Sequence, residues 1–299
     1  QLLKGLQSTF IEALSSMSVS SPIFDAAATY VTSTSDDEDY AWIGEAPMVE
    51  EFDDEVKFYP LSDTSYTLTN QKFVGGLQFK RDDLSDEKTG GMRQRIQDLA
   101  GRAMQHAEKQ LVDALTNGDS ATLGLCYDGV EFFSATHTAR GSSGAQSNLI
   151  SYSGSSTANA QTDLGAAMSA LLRMKDESGE PLNEYAKEFY VIYPPTLHKP
   201  IAEALGAQVI SNTTNVQFAG MNWKLIQSAR LESHSAAEYY IGVNPSAGTK
   251  ALIYQDREPV TFEALEDGDE AFKREVYSYK VRKRSVAGYG RFQRMVRVA

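Results

Sequence analysis

Four histidines, one cysteine and one acidic dyad are the residues of this chain whose types and positions invite a chemical reading. His106, His137, His198 and His234 are scattered too widely for any two to fall one helical turn apart, the spacing at which paired imidazoles grip a metal ion. Each reads as a surface or capping residue. Arg81-Asp82-Asp83 sets two carboxylates side by side, as acid–base work or a divalent ion would require. Placed ahead of a helix, they read more simply as a cap that complements its dipole. Cys126 lies beside Tyr127 with no identifiable base and reads as a buried thiol. The sequence contains no Gly-x-Ser-x-Gly elbow, no glycine-rich phosphate loop ending in Gly-Lys-Ser/Thr and no Gly-x-Gly-x-x-Gly turn. No catalytic residue, cofactor site or metal site is therefore expected, and the chain is not expected to be an enzyme.

The elements that would have to position such groups are of another kind. The chain has 299 residues, 41% hydrophobic and 23% charged, enough to build a sizeable core as one elongated fold or two sub-domains. A single cysteine rules out an internal disulfide and leaves stability to packing. Lys plus Arg number 28 against 40 Asp plus Glu, for a net charge of −12. That balance repels phosphate backbones and argues against sequence-specific reading of DNA. No apolar run approaches a membrane span and no secretory leader opens the chain, so a soluble protein of a reducing compartment is expected.

Residues 1 to about 35 read as an arm with one short helix. Residues 36–55 carry only acidic charges, and strand chemistry follows over 65–80, interrupted by Asn70 and by Gly75-Gly76, which suggest a turn or bulge. Together these predict a long two-stranded projection. From Gly91 to Asn117 apolar residues recur at three- and four-residue spacing, predicting a strut helix roughly 40 Å long, closed by Gly118. A Ser/Gly-rich tract over 138–158 reads as a flexible loop. A second amphipathic helix is expected over 159–175, a buried strand over 188–193 and a short helix over 196–205. Short β runs follow at 222–226, 239–243, 251–254 and 259–265, then a last β segment over 275–298. The class is α+β, with an antiparallel tail.

One charge asymmetry stands out. The last stretch holds Lys273, Arg274, Lys280, Arg282, Lys283, Arg284, Arg291, Arg294 and Arg297 against a single Glu275, while the early loop is purely acidic. Both could simply be solvated faces. Alternatively, the acidic projection of one copy lies on the basic strand of the next, a head-to-tail contact that closes into rings. Trp42, Asp53, Asp54, Glu55, Phe73, Arg282, Lys283, Arg284 and Arg291 are the residues expected at that subunit interface.

Several short signatures occur in a familiar order: Tyr40-Ala41-Trp42-Ile43-Gly44 with Pro47; Asn70 to Phe73 and Gly76 leading to Arg81-Asp82-Asp83-Leu84; Tyr127-Asp128-Gly129 with Phe132-Phe133 and His137; and Ala287-Gly288-Tyr289-Gly290 with Phe292-Gln293. In this order they resemble the major head subunits of Mu-like tailed bacteriophages and prophages. The resemblance implies the HK-ninety-seven-like major capsid fold, with an N-terminal arm (1–35) and an extended β-hairpin loop (36–80). It further implies a peripheral domain (81–160 and 255–299) with a spine helix at about 91–117, and an axial domain (161–254). It implies hexamers and pentamers tiling an icosahedral virion shell around double-stranded DNA, with scaffold, maturation protease and portal proteins as partners and no membrane. A start at Gln1 rather than Met suits proteolytic processing or simple trimming. Some shells of this kind cross-link Lys to Asn, but no such pair is identifiable here.

Protruding arms and broad faces suit a subunit whose binding energy is spread over many neighbours. Gly75, Gly76, Gly90 and Gly91 sit where hinge-like adjustment would help, or where turns are made. A negative total suits a wall that must not grip the genome. Two other classes compete: a ring-forming tail-tube protein, which would not need so long a strut, and a small hydrolase, whose only nominees would be Arg81, Asp82, Asp83 and His137.

Overall fold

A computed structural model describes residues 9–14, 21–40, 66–82, 89–138, 144–176, 179–206, 209–210, 213–214, 220–245, 248–265 and 273–299. Two sheets organise them. The first has four strands in the order β1 (Ala28–Thr32), β11 (Leu252–Leu265), β12 (Val276–Tyr289) and β4 (Gln71–Lys80). β1 runs parallel to β11, whereas β11 with β12 and β12 with β4 are antiparallel, the last pair in unbroken register from Ser285↔Gln71 to Val276↔Lys80. The second has five strands, in the order β5 (Leu149–Ile150), β13 (Met295–Val298), β10 (Tyr239–Val243), β6 (Glu188–Tyr193) and β9 (Asn222–Gln227). Two small pairs, β2 (Asp37–Asp39) with β3 (Thr67–Thr69) and β7 (Val209–Ile210) with β8 (Thr213–Thr214), complete the strands among the described residues.

The centre of the second sheet is buried on both faces, which is why β6 and β10 read as continuous apolar runs. Phe189, Val191 and Tyr193 face the helices Thr157–Arg173 and His198–Gly206 and pack on Leu164, Leu171 and Ile201. Tyr190, Ile192 and Tyr240, on the opposite face, join a core with Leu252, Tyr254, Phe132, Phe133 and Tyr289. The long helix Thr89–Thr116 braces the whole; its 28 residues span about 42 Å. Met92, Ile96 and Ala100 pack with Phe10, Phe79 and Tyr279 near one end, and Leu111 and Leu115 enter the central core near the other.

Several expectations need correction. Gly75-Gly76 makes no turn: both residues are extended within β4, and a Cβ on Gly75 would come 3.5 Å from Leu99 of the long helix. The strand passes beside that helix at a spacing that a Cβ would fill in ordinary contact. The runs 251–254 and 259–265 belong to one strand, whose register slips between Asp256 and Thr261. Pro259 lies inside that slip and has no N–H for the ladder, and β1 pairs only as far as Asp256, so the proline sits where β11 has become an edge. Gly118 does not adopt the left-handed conformation of a glycine cap, and a Cβ on it would lie 2.6 Å from the Phe133 ring. Close approach fixes that glycine, and Asn117 Nδ2 caps the helix by donating to Asp113 O at 2.7 Å.

Among the described residues before 35 there is more than the one short helix expected. Pro22–Ala27 is a helix whose first turn is capped by Ser21 Oγ, and β1 enters the four-stranded sheet beside β11. The Ser/Gly-rich tract, likewise, contains strand β5 and the fully buried Asn148, whose amide joins Ser134 N and Phe132 O. Serine-rich composition concealed a strand that pairs in parallel with the last one of the chain.

Candidate assembly surface

Lys280, Arg282 and Arg284 alternate along β12 and share one face of the sheet. Each meets an acid of its own chain. Lys280 Nζ lies 2.6 Å from Glu263, and Arg282 lies 3.1 Å from Glu258. Arg284 takes Glu258 at 3.3 Å and pairs closely with Asp36. Hydrogen bonds that Arg284 donates to Asp36 and Glu258 raise its pKa, and the bond from Lys280 lowers that of Glu263. The charge asymmetry is thus satisfied in part within one subunit, since the acidic stretch begins on its own basic strand.

Lys283 points the other way, its Nζ 5.1 Å from the centre of the Tyr254 ring. It borders a groove of about 510 Å³ between β4 and the long helix, walled by Phe73, Val74, Gly75, Gly76 and Leu77 on one side and Arg95, Asp98, Leu99, Arg102 and His106 on the other. Phe73 and His106 meet ring to ring at 4.2 Å, and Val74 is 57% exposed. Burial first, then Lys283 and Lys109, lower the His106 pKa and favour its neutral form. Three cations, Arg95, Arg102 and Lys283, face a single carboxylate, Asp98, over an apolar floor. Such a slot suits an acidic segment with apolar side chains.

Of the residues expected at an interface, Phe73 and Lys283 come together in this groove, while Arg282 and Arg284 lie on the opposite, internally paired face. Arg291 precedes the short turn Phe292–Arg294 between the two sheets. Trp42, Asp53, Asp54 and Glu55 lie outside the described residues, as does Asp83.

The histidines are separately engaged. His137 Nδ1 meets Asp128 at 2.6 Å and Nε2 faces Phe132 O at 3.0 Å, the ring lying flat on Phe292 at 3.8 Å. His198 bonds Tyr193, and His234 lies near Glu238. Among the described residues no three His, Cys, Asp or Glu side chains converge on a metal-sized space. Cys126 is buried and its thiol pKa is pushed well up by burial, so thiolate chemistry is disfavoured.

Sequence reasoning missed a buried polar cluster around Gln255, where Tyr40, Asn70 and Ser33 meet. Its signal was a lone amide following the apolar run Leu252–Tyr254.

Comparisons with known proteins agree with this architecture. The subunit of the bacteriophage JBD30 procapsid superposes with a TM-score of 0.56 at 19% identity, covering 100% of this chain and 75% of that one. A virus-like particle from Pyrococcus furiosus gives 0.53 at 12% identity over 99% and 98% of the two chains, and the mature capsid of bacteriophage PhiM1 gives 0.54 at 12% over 92% and 86%. The fold is accordingly α+β and of the HK-ninety-seven-like capsid type. In sequence, the Mu-like prophage FluMu major head subunit of Haemophilus influenzae is 31% identical over 110 residues, 37% of this chain and 35% of that protein. The aligned part is therefore about a third of that relative's length. The family model of the Mu-like prophage major head subunit gpT matches residues 1–162 and 224–299, and the chain belongs to that family.

Proposed function

We propose that the chain is a structural protein that assembles with copies of itself into hexamers and pentamers, closing an icosahedral head shell around double-stranded DNA in a phage virion. The observation that carries this reading is the family match over residues 1–162 and 224–299, which takes in the whole four-stranded sheet and the long helix. The capsid particles of similar fold support it. In this reading the protein is not an enzyme; a scaffold, a maturation protease and a portal are its assembly partners, DNA is enclosed without sequence-specific contact, and assembly takes place in the host cytoplasm. The divisions at residues 35, 80, 160 and 254 separate arm, extended loop, peripheral and axial parts. Among the described residues no helix is long and apolar enough to cross a membrane.

Within the shell, Asp53, Asp54 and Glu55 of one copy, with Trp42 nearby in sequence, lie on the cations of the next. Because Asp36 already pairs with Arg284 internally, Lys283 and the groove beside Phe73 are the part of the basic surface left for the neighbour. Sedimentation velocity tests both levels. The unaltered protein sediments as rings or shells once concentrated. Reversing Asp53, Asp54 and Glu55 to Lys leaves a folded monomer that no longer assembles; undiminished assembly of that variant would remove the proposed contact. A compact small oligomer of the unaltered protein at all concentrations would overturn the shell reading itself.

A further inference from the structure

Tyr40 and Tyr66 flank residues 41–65 in the chain, and both tyrosines are almost fully buried. Tyr40 N–H donates to Tyr66 O at 2.7 Å, and the two rings lie 6.2 Å apart. Each phenol is then tied to a different strand of the four-stranded sheet. Tyr40 donates to Gln255 Oε1 on β11 at 2.6 Å, while Tyr66 Oη accepts from Tyr289 N–H at the end of β12 at 2.8 Å. Gln255 is fully buried, and its amide donates to Asn70 Oδ1 at 2.9 Å and to Leu68 O at 3.3 Å. Asn70 Nδ2 in turn reaches Ser33 Oγ at 3.0 Å and Ser35 O at 2.9 Å. Glu38 closes the cluster by accepting from Ser33 Oγ and Thr34 N–H. On β12, Gly288 makes room for this root, because a Cβ there would fall 2.5 Å from Leu68.

We propose that Tyr40, Tyr66, Asn70 and Gln255 form a positioning clamp that fixes where and in which direction residues 41–65 depart, so that each subunit presents its acidic segment to a second copy already aimed. The inference rests on the assembly reading above and adds to it the residues that orient the contact. A buried amide at the end of the apolar run Leu252–Tyr254 is a poor choice for stability alone, since matched apolar side chains serve that end as well. A fully satisfied polar cluster does what an apolar patch cannot: it accepts one arrangement of its members and rejects others. Holding both ends of a binding segment also reduces the freedom lost when it docks.

The test uses the full chain with spin labels at Glu50→Cys and at the exposed Ser169→Cys, the native Cys126 being buried. Distances are measured in dilute, unassembled subunits, and the assembly threshold is measured separately by light scattering. The unmodified clamp gives a narrow distance distribution. Tyr40→Phe with Gln255→Leu broadens it and raises the threshold about tenfold, with the melting transition still cooperative. If that pair fails to fold, Tyr66→Phe, which removes a single hydroxyl, shows the same changes in smaller measure. An unchanged distribution, or a broadened one with an unchanged threshold, overturns the clamp. Failure of the unmodified protein to assemble refutes the shell reading instead, while the distance measurement still decides whether the segment is aimed.

Discussion

His137 and Asp128 form an enclosed, hydrogen-bonded pair, with side chains 0% and 4% exposed. Removing one partner of such a pair strands the other, at a cost of about 3–5 kcal/mol. His137→Ala is therefore expected to lower unfolding free energy by roughly that amount, and Asp128→Ala to do much the same. The double variant should lose well under the sum, because the pair is then absent rather than broken. Urea titration of the four proteins measures this, and simple additivity would show the contact to be idle. His106 gives a pH signature. Its pKa is lowered in the folded state, so the unfolded chain binds the extra proton first as pH falls below the ordinary histidine value, and stability declines there. His106→Asn should remove that decline between about pH 7 and 5, read as a flatter urea midpoint. None of these residues could be assigned from spacing alone: a histidine's partner lies in the fold, and Asp128 is found only once Gly129, at φ 85°, turns the chain back toward it.

At the scale of elements, periodicity carried far. The long helix, β6 and β10 lie close to where the apolar pattern places them, because a stripe at helical spacing and a short run of Phe, Tyr, Val and Ile have few alternative burials. Glycine and serine misled, because each answers to packing as well as to turns. Gly75 and Gly76 were legible as special but not as members of a straight strand, since Leu99 passes over Gly75 only in the folded chain. β1 was hidden inside an apparent arm, and its parallel partner lies more than two hundred residues onward, beyond the reach of local pattern. Gly118 offers a clean check: a methyl group there meets the Phe133 ring at 2.6 Å. Gly118→Ala should cost about 1–3 kcal/mol, and Gly118→Ala with Phe133→Leu should recover part of it. Were Gly118→Ala neutral in thermal melts, the close approach would carry no energy.

Across the molecule, the proposed interface rests on a charge pattern that names no individual partner. Opposite charge at the two ends of the chain pointed to a contact. Sequence alone could not divide the cations of β12 between the internally paired Arg282 and Arg284 and the groove-facing Lys283, because the alternation that separates them needs a strand register. Exposed charge contacts are screened by salt, so raising ionic strength from about 50 to 500 mM should raise the assembly threshold. Light scattering would record it, and indifference to salt would move the binding energy to apolar contacts. With a net charge of −12, isolated subunits should bind double-stranded DNA weakly at about 150 mM salt, and tight retention in a filter-binding assay would refute a non-adhesive wall. The most direct measurement is an electron cryomicroscopy reconstruction of the particles formed by the purified, concentrated protein. The account predicts closed shells with this one chain at both five-fold and six-fold positions. Open helical tubes, or a small compact oligomer and nothing larger, would contradict it.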